Sequence, residues 1–204
     1  MITLAMETST VRGSVAISED GRVIFSERFA ADRSLGSTLF PCLQRAVVTL
    51  GEKHIDRIAV GLGPGSYSGV RIAIAAAVGL ELTGGAEALG IPSILALETD
   101  AEKYLTTGDA RRASFYFAEI DRGKCLTGPL LLDAEQLKAA IDTRAGLPVY
   151  GTEPMDAAPA LEICFPSAER LARLAEAGLG IVARGDLEPI YLRDPHITQA
   201  REIR

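Results

Sequence analysis

The alternation of apolar and polar positions divides the first half of the chain into strands and helices before any chemistry is considered. Ile2 to Met6 is a short apolar run that ends at Glu7 and is turned by Thr8-Ser9-Thr10. Gly13 to Ile17 alternates with the two-residue period of a strand. Glu19-Asp20-Gly21 is a hairpin signal, because Asp-Gly adopts positive φ at little cost. Val23 to Phe29 then pairs back, which completes an antiparallel meander of three strands. Leu39, Leu43, Val47 and Leu50 recur at helical spacing and mark one face of a helix over Ser37–Leu50. Ser37 or Thr38 can cap its start, Pro41 falls in its first turn, and Gly51 can end it. Arg57 to Leu62 reads as a strand, Tyr67 to Leu82 as a long helix, and Ile91 to Leu97 as another strand. The order βββαβαβ implies a mixed sheet covered by helices.

Beyond Asp109 the pattern changes. Ala113–Asp121 and Lys124–Asp133 form a hairpin around the polar turn Asp121 to Lys124. Ala134–Ile141 is a short helix and Leu147–Gly151 a short strand. Ser167 to Gly178 is a marked amphipathic helix, with Leu171, Leu174 and Ala175 on one face and Gly178 as its cap. Glu188 to Arg193 reads as a last strand, and the tail after Pro195 is polar. The change of pattern places a lobe boundary near 98–110, giving an N-terminal lobe over 1–100 and a smaller C-terminal lobe over 101–204.

Composition narrows the function classes. The chain has 204 residues, 48% of them hydrophobic, which suits one large domain or two small lobes. A net charge of −6 argues against a general nucleic-acid binder, which needs a basic field. Cys42, Cys125 and Cys164 are far apart and odd in number, a pattern of reduced thiols in a cytoplasmic protein. The longest apolar run, Ile72 to Leu80, falls well short of the ~20 residues that a membrane span needs.

Gly61 to Leu82 carries the densest signal: a glycine-rich turn opening a helix with almost no polar face. A P-loop needs a lysine and a hydroxyl after its last glycine, but Val70 and Arg71 follow Gly69. A dinucleotide fingerprint needs G-x-G-x-x-G, but Ser66 follows Gly61 and Gly63 at the third place. Two readings of Gly63, Gly65, Ser66 and Gly69 remain. One is an anion held by amides at a helix start. The other is a tight strand-to-helix turn with Ser66 or Ser68 as cap. On the helix, Arg71, Ile74, Ala75, Val78 and Leu82 form one stripe, and Gly69, Ala73, Ala76 and Leu80 another. The stripe bearing Arg71 is expected to face outward, because a charge is rarely buried. It is otherwise apolar, so something covers it: a second lobe or a partner protein.

The segment GPGSYSGVRI, after a meander that begins LAMETST, resembles the TsaB (YeaZ) family, whose members take part in making threonylcarbamoyladenosine on tRNA. DARRASFYFAEID at Asp109–Asp121 and PIYLR at Pro189–Arg193 match it as well. Two positions depart from the family pattern. Glu7 stands where the family usually has Asp, and RSLGST lacks the histidine often found before the first helix. The resemblance implies an actin-like ATPase (ribonuclease H-like) fold, α/β, in two lobes with the second reduced. It implies a non-catalytic partner of the TsaD subunit, which holds the metal and transfers the threonylcarbamoyl group, in an assembly joined by the ATPase TsaE. The contact implied lies on the helices Ser37–Leu50 and Tyr67–Leu82, through Phe40, Val48 and the Arg71 stripe. The same face would serve a homodimer of the isolated protein. Contact with tRNA would be indirect, and no cofactor is expected.

The residue chemistry is sparse in the same sense. His54 and His196 are the two histidines, far apart, and no His-x-x-x-His pair is there to hold a metal. The turn around Asp121 reads as a hairpin before it reads as a second phosphate loop. Glu7, Thr8 and Ser9 suit a relic of a phosphate turn or plain strand-end capping. Asp109 to Arg112 suits a phosphate contact or a solvated turn. The class that competes with a scaffold subunit is a small actin-like phosphotransferase or hydrolase acting alone.

Overall fold

The structure is a computed structural model and describes residues 1–31 and 35–193. His196 and the tail after Pro195 lie outside the described residues. The chain opens with β1 (Ile2–Glu7), β2 (Arg12–Glu19) and β3 (Arg22–Ala30), the expected antiparallel meander. Asp20 at φ 50° and Gly21 at φ 83° make its hairpin turn. Then follow α1 (Leu35–Leu50), β4 (Arg57–Gly61), α2 (Tyr67–Gly84) and β5 (Glu87–Ile91). β4 and β5 run parallel to β1, so the strands stand in the order β3-β2-β1-β4-β5. This mixed sheet is the first lobe of the actin-like fold.

Side-chain parity sorts this sheet into two faces. Leu4 lies opposite Ile17 and Ile58, and Met6 opposite Val15 and Val60. These residues pack under α1 and α2. On the other face a row of small residues runs across the rungs, Ala16-Ala5-Ala59, ending at Leu89. It receives α4 (Ala168–Ala177) through Ala168, Leu171, Ala172 and Ala175, all fully buried. Small side chains on both surfaces bring helix and sheet close, and β1 is buried at every position.

The second sheet repeats the plan. β6 (Lys103–Asp109), β7 (Phe115–Asp121) and β8 (Lys124–Leu132) form a meander, followed by α3 (Ala134–Asp142). β9 (Val149–Gly151) returns parallel to β6, and β10 (Glu162–Ile163) runs parallel to β9. Between β9 and β10 no helix stands, and the reduction of the second lobe is located there.

Several expectations are corrected. Ile91 to Leu97 is not a strand: β5 ends at Ile91, Pro92 follows, and Ser93–Leu95 coils into a 3-10 turn. β5 begins instead just after Gly85, whose left-handed backbone at φ 70° caps α2. Glu188 to Arg193 is no strand either; the last strand is β11 (Ala183–Arg184), antiparallel to β5. α1 starts two residues before Ser37, which moves Pro41 out of the first turn onto the exposed side of the helix interior. β6 is a strand that the polar run Thr106-Thr107-Gly108 hides from a hydrophobicity reading. Its Thr107 hydroxyl donates to the Tyr116 carbonyl at 2.6 Å, which satisfies it inside the core. The residues beyond 101 also do not stay in one lobe, since α4 and β11 both join the first sheet.

Candidate protein-docking face

The turn between β4 and α2 is packed against the end of β1. A methyl group at Gly61 would sit 1.9 Å from Glu7 Oε2, one at Gly65 2.1 Å from the Ser9 carbonyl, and one at Gly69 2.1 Å from the Thr8 carbonyl. The glycines therefore make room for Glu7-Thr8-Ser9. Gly63, at φ 85°, serves conformation as well. Gly65 has no left-handed backbone, so close approach alone requires a glycine there. The two segments are tied by hydrogen bonds: the Ser66 amide donates to the Ser9 carbonyl at 2.7 Å, and the Thr8 hydroxyl to the Gly69 carbonyl at 2.8 Å. The Gly63 amide donates to Ser93 Oγ at 3.0 Å. Ser66 caps α2 by accepting the Gly69 amide at 3.2 Å, as one of the two sequence readings required.

Glu7 is fully buried. Its Oε1 accepts the Ser9 amide at 2.6 Å, while Oε2 has no hydrogen-bond partner among the described residues. Burial pushes its carboxyl above the ordinary range, against the opposing effect of the Ser9 and Ser93 hydroxyls and the Ser9 and Thr8 amides. Glu7, Thr8 and Ser9 thus form the wall of the turn. Among the described residues no group of three or more His, Cys, Asp or Glu side chains could hold a metal.

Next to this turn, a cleft of about 640 Å³ separates the two sheets. Ser9, Ser66 and Tyr67 line one side, Asp109 and Arg111 the other. The segment 189–193 crosses it. The Ile190 amide donates to the Leu62 carbonyl at 2.9 Å, and Arg193 donates to the Arg111 carbonyl at 3.4 Å.

The helices α1 and α2 cover one face of the first sheet, and several apolar side chains stand exposed on their outer surface. Phe40 is 53% exposed, Val48 73% and Leu82 81%. Arg71 and Ala75 are exposed too, while Ile74 and Val78 are half-buried, Ile74 against the core. The stripe is therefore outward at its centre and anchored at its edge. Leu80, expected in the buried stripe, is also half-buried. Arg71 does not hang free. Its Nε donates to the Tyr191 hydroxyl at 2.8 Å. Its guanidinium stands 4.2 Å from the centre of the Tyr67 ring, and the Tyr191 ring lies 5.7 Å from Tyr67.

The model of the family TsaD, tRNA N6-adenosine threonylcarbamoyltransferase, matches residues 30–149. The structure called YeaZ from Pseudomonas aeruginosa superimposes with a TM-score of 0.75 at 27% identity, covering 94% of this chain and 99% of that one. The chain belongs to the TsaB (YeaZ) family. The tRNA threonylcarbamoyladenosine biosynthesis protein TsaB of Escherichia coli is 33% identical over 128 residues. That match spans 58% of this chain and 54% of the relative's length. An uncharacterized protein of Mycobacterium tuberculosis is 31% identical over 204 residues, 94% of this chain and 92% of its own.

Within this TsaB-family chain, the sequence pointed to the helix face and to the turn but missed what joins them to the rest. Nothing in the sequence marks Tyr67 and Tyr191, which bracket Arg71. Tyr67 stands at the first helical position, and Tyr191 falls in the run 188–193 whose pattern predicts a strand. Ser93, which closes the turn from beneath, was hidden in the mistaken strand over 91–97. No helix among the described residues is long and apolar enough to cross a membrane.

Proposed function

We propose that this chain is a non-catalytic scaffold or activating subunit of the bacterial assembly that forms N6-threonylcarbamoyladenosine in tRNA. It binds the TsaD-like catalytic subunit in the cytoplasm, a TsaE-like ATPase joins them, and two copies pair through the same face when that subunit is absent. The observation that carries the reading is the exposed apolar surface of α1 and α2, with Phe40, Val48, Ala75 and Leu82 on it. Exposed apolar residues gathered on neighbouring helices mark an interaction site. Covering two helices with two others buries an area of the order of 1,200–2,000 Å², enough for a specific complex. The packed turn supports the non-catalytic part, because the space beside Gly61, Gly65 and Gly69 is taken by the protein's own Glu7, Thr8 and Ser9.

Reconstitution tests the proposal. The TsaD-like and TsaE-like subunits of the same organism are incubated with tRNA and a threonylcarbamoyl donor, with and without this chain. Product formation is expected to require the chain, and the chain alone is expected to turn over no ATP. The cleft between the sheets favours a second reading, a stand-alone actin-like phosphotransferase or hydrolase. Steady turnover by the isolated chain, abolished by Glu7→Ala, would establish that reading instead.

A further inference from the structure

The 34 residues of α1 and α2 contain one carboxylate, Glu81, and its Oε1 already accepts the Ala88 amide at 3.0 Å. They contain two arginines. Arg45 is spent on Glu27, with its Nε 2.9 Å from that carboxylate. Arg71 is the other, and no carboxylate among the described residues pairs with it. Its fixed contacts are the Tyr191 hydroxyl at Nε and the Tyr67 ring. The two terminal nitrogens of the guanidinium remain to donate, at the start of an exposed apolar stripe, on a protein whose net charge is −6. The arrangement is pre-organised, because the aromatic bracket holds the fork before any partner arrives.

We infer that Arg71 is the selectivity element of this face and takes a carboxylate presented by an apolar helical surface of the partner. The inference rests on the proposed docking of a TsaD-like subunit and adds the chemistry that the docked surface must carry. Covering the stripe strips water from the guanidinium, and an uncompensated buried charge is strongly unfavourable. A second copy of this chain cannot supply the compensation from the same face, since α1 and α2 offer no carboxylate beyond the engaged Glu81. A two-fold homodimer through this face therefore leaves both arginines without an acid, whereas a partner with a matching carboxylate forms a charge-assisted fork. The face favours the heteromer over pairing with itself.

The test measures two affinities on the full chain, for the TsaD-like subunit of the same organism and for itself, each at low and high salt. Arg71→Met keeps most of the apolar stem and removes the fork. It is expected to weaken the heteromer by roughly 30-fold or more and to flatten its salt dependence. The homodimer should be unchanged or tighter. Arg71→Lys keeps the charge but not the fork and should fall between parent and Met. Ala75→Glu serves as the control for the face itself. If Ala75→Glu abolishes the heteromer while Arg71→Met binds within twofold of the parent, the face is right and the role of Arg71 is wrong. Equal weakening of heteromer and homodimer by Arg71→Met would also overturn it, since the arginine would not then discriminate. If Ala75→Glu binds normally, the face is wrong and this inference falls with it.

Discussion

Two sheets of this molecule share one strand order, yet they have been finished differently. β3-β2-β1-β4-β5 in the first and β8-β7-β6-β9-β10 in the second are the same path: a meander, a helix, and two strands parallel to the first. The first sheet has helices on both faces, and β1 is buried throughout. The second has the nine-residue α3 on one face, its own cluster holds four buried residues, and β8 is largely exposed. Between the two parallel strands the first lobe places α2; the second places an irregular loop. A sheet with one covering helix can hold its place beside a stronger neighbour, but α2 is the element that presents the apolar stripe and Arg71. The lobe that kept its helices also kept the candidate docking face.

The turn before α2 should show the contrast most strongly. Gly65→Val drives a branched side chain into the Ser9 carbonyl, a backbone atom, and is expected to cost about 3 kcal/mol or more, or to prevent folding. Glu153→Ala, in the matching loop after β9, touches no such contact and should stay within about 0.5 kcal/mol. Urea unfolding of both variants checks the pair; equal losses would show that the two turns are equivalent after all.

Core truncation gives a smaller contrast. Leu4 and Leu137 are both fully buried, Leu4 in the large cluster beneath α1 and α2, Leu137 in the small one beneath α3. Leu→Ala is expected to cost toward the upper end of about 2–5 kcal/mol at Leu4 and toward the lower end at Leu137, where the site can collapse. A reversed order in denaturant midpoints would mean that the second lobe is the stiffer one.

A third contrast is electrostatic. One step beyond the last paired rungs, Glu7 faces Gly61 in the first sheet where Thr107 faces Gly151 in the second. Burial raises the Glu7 carboxyl above its unfolded value, so the folded state holds a proton that the unfolded chain releases. That proton makes stability fall as pH rises from about 4.5 to the raised folded value. Glu7→Gln removes the linkage. Its stability relative to the parent should be constant below that window and grow across it. A difference that does not change with pH would show that Glu7 ionises freely in the fold.

Much of this was legible in the residues, for physical reasons that also explain the gaps. The meander was readable because Asp20-Gly21 announces its turn, and α4 because Leu171 and Ala175 repeat on one face between Ser167 and Gly178. The outward placement of Arg71, Ala75 and Leu82 on α2 was readable because the charge of Arg71 marks that side, whereas Ile74 and Val78, expected on the same stripe, are half-buried. β6 was not readable, because Thr106, Thr107 and Gly108 do not report burial by hydrophobicity, and Thr107 finds its hydrogen-bond partner within the sheet. Ile91 to Leu97 deceived because an apolar run is equally a strand or a buried turn. The bracket around Arg71 was illegible, because Tyr191 is 120 positions away and reaches α2 only after the chain has crossed the cleft.

Both lobes expose leucines, so docking on the α1–α2 face can be tested against docking on the second lobe in one comparison. Leu82 marks the α1–α2 face, and Leu126, 55% exposed, marks β8 of the second lobe. Ala75→Glu and Leu126→Glu are each mixed with the TsaD-like subunit and measured by size-exclusion chromatography with light scattering. Ala75→Glu is expected to elute as separate subunits with an unchanged melting temperature, while Leu126→Glu forms the heteromer like the parent. A heteromer that survives Ala75→Glu and is lost with Leu126→Glu would place the partner on the second lobe and rule out the α1–α2 face.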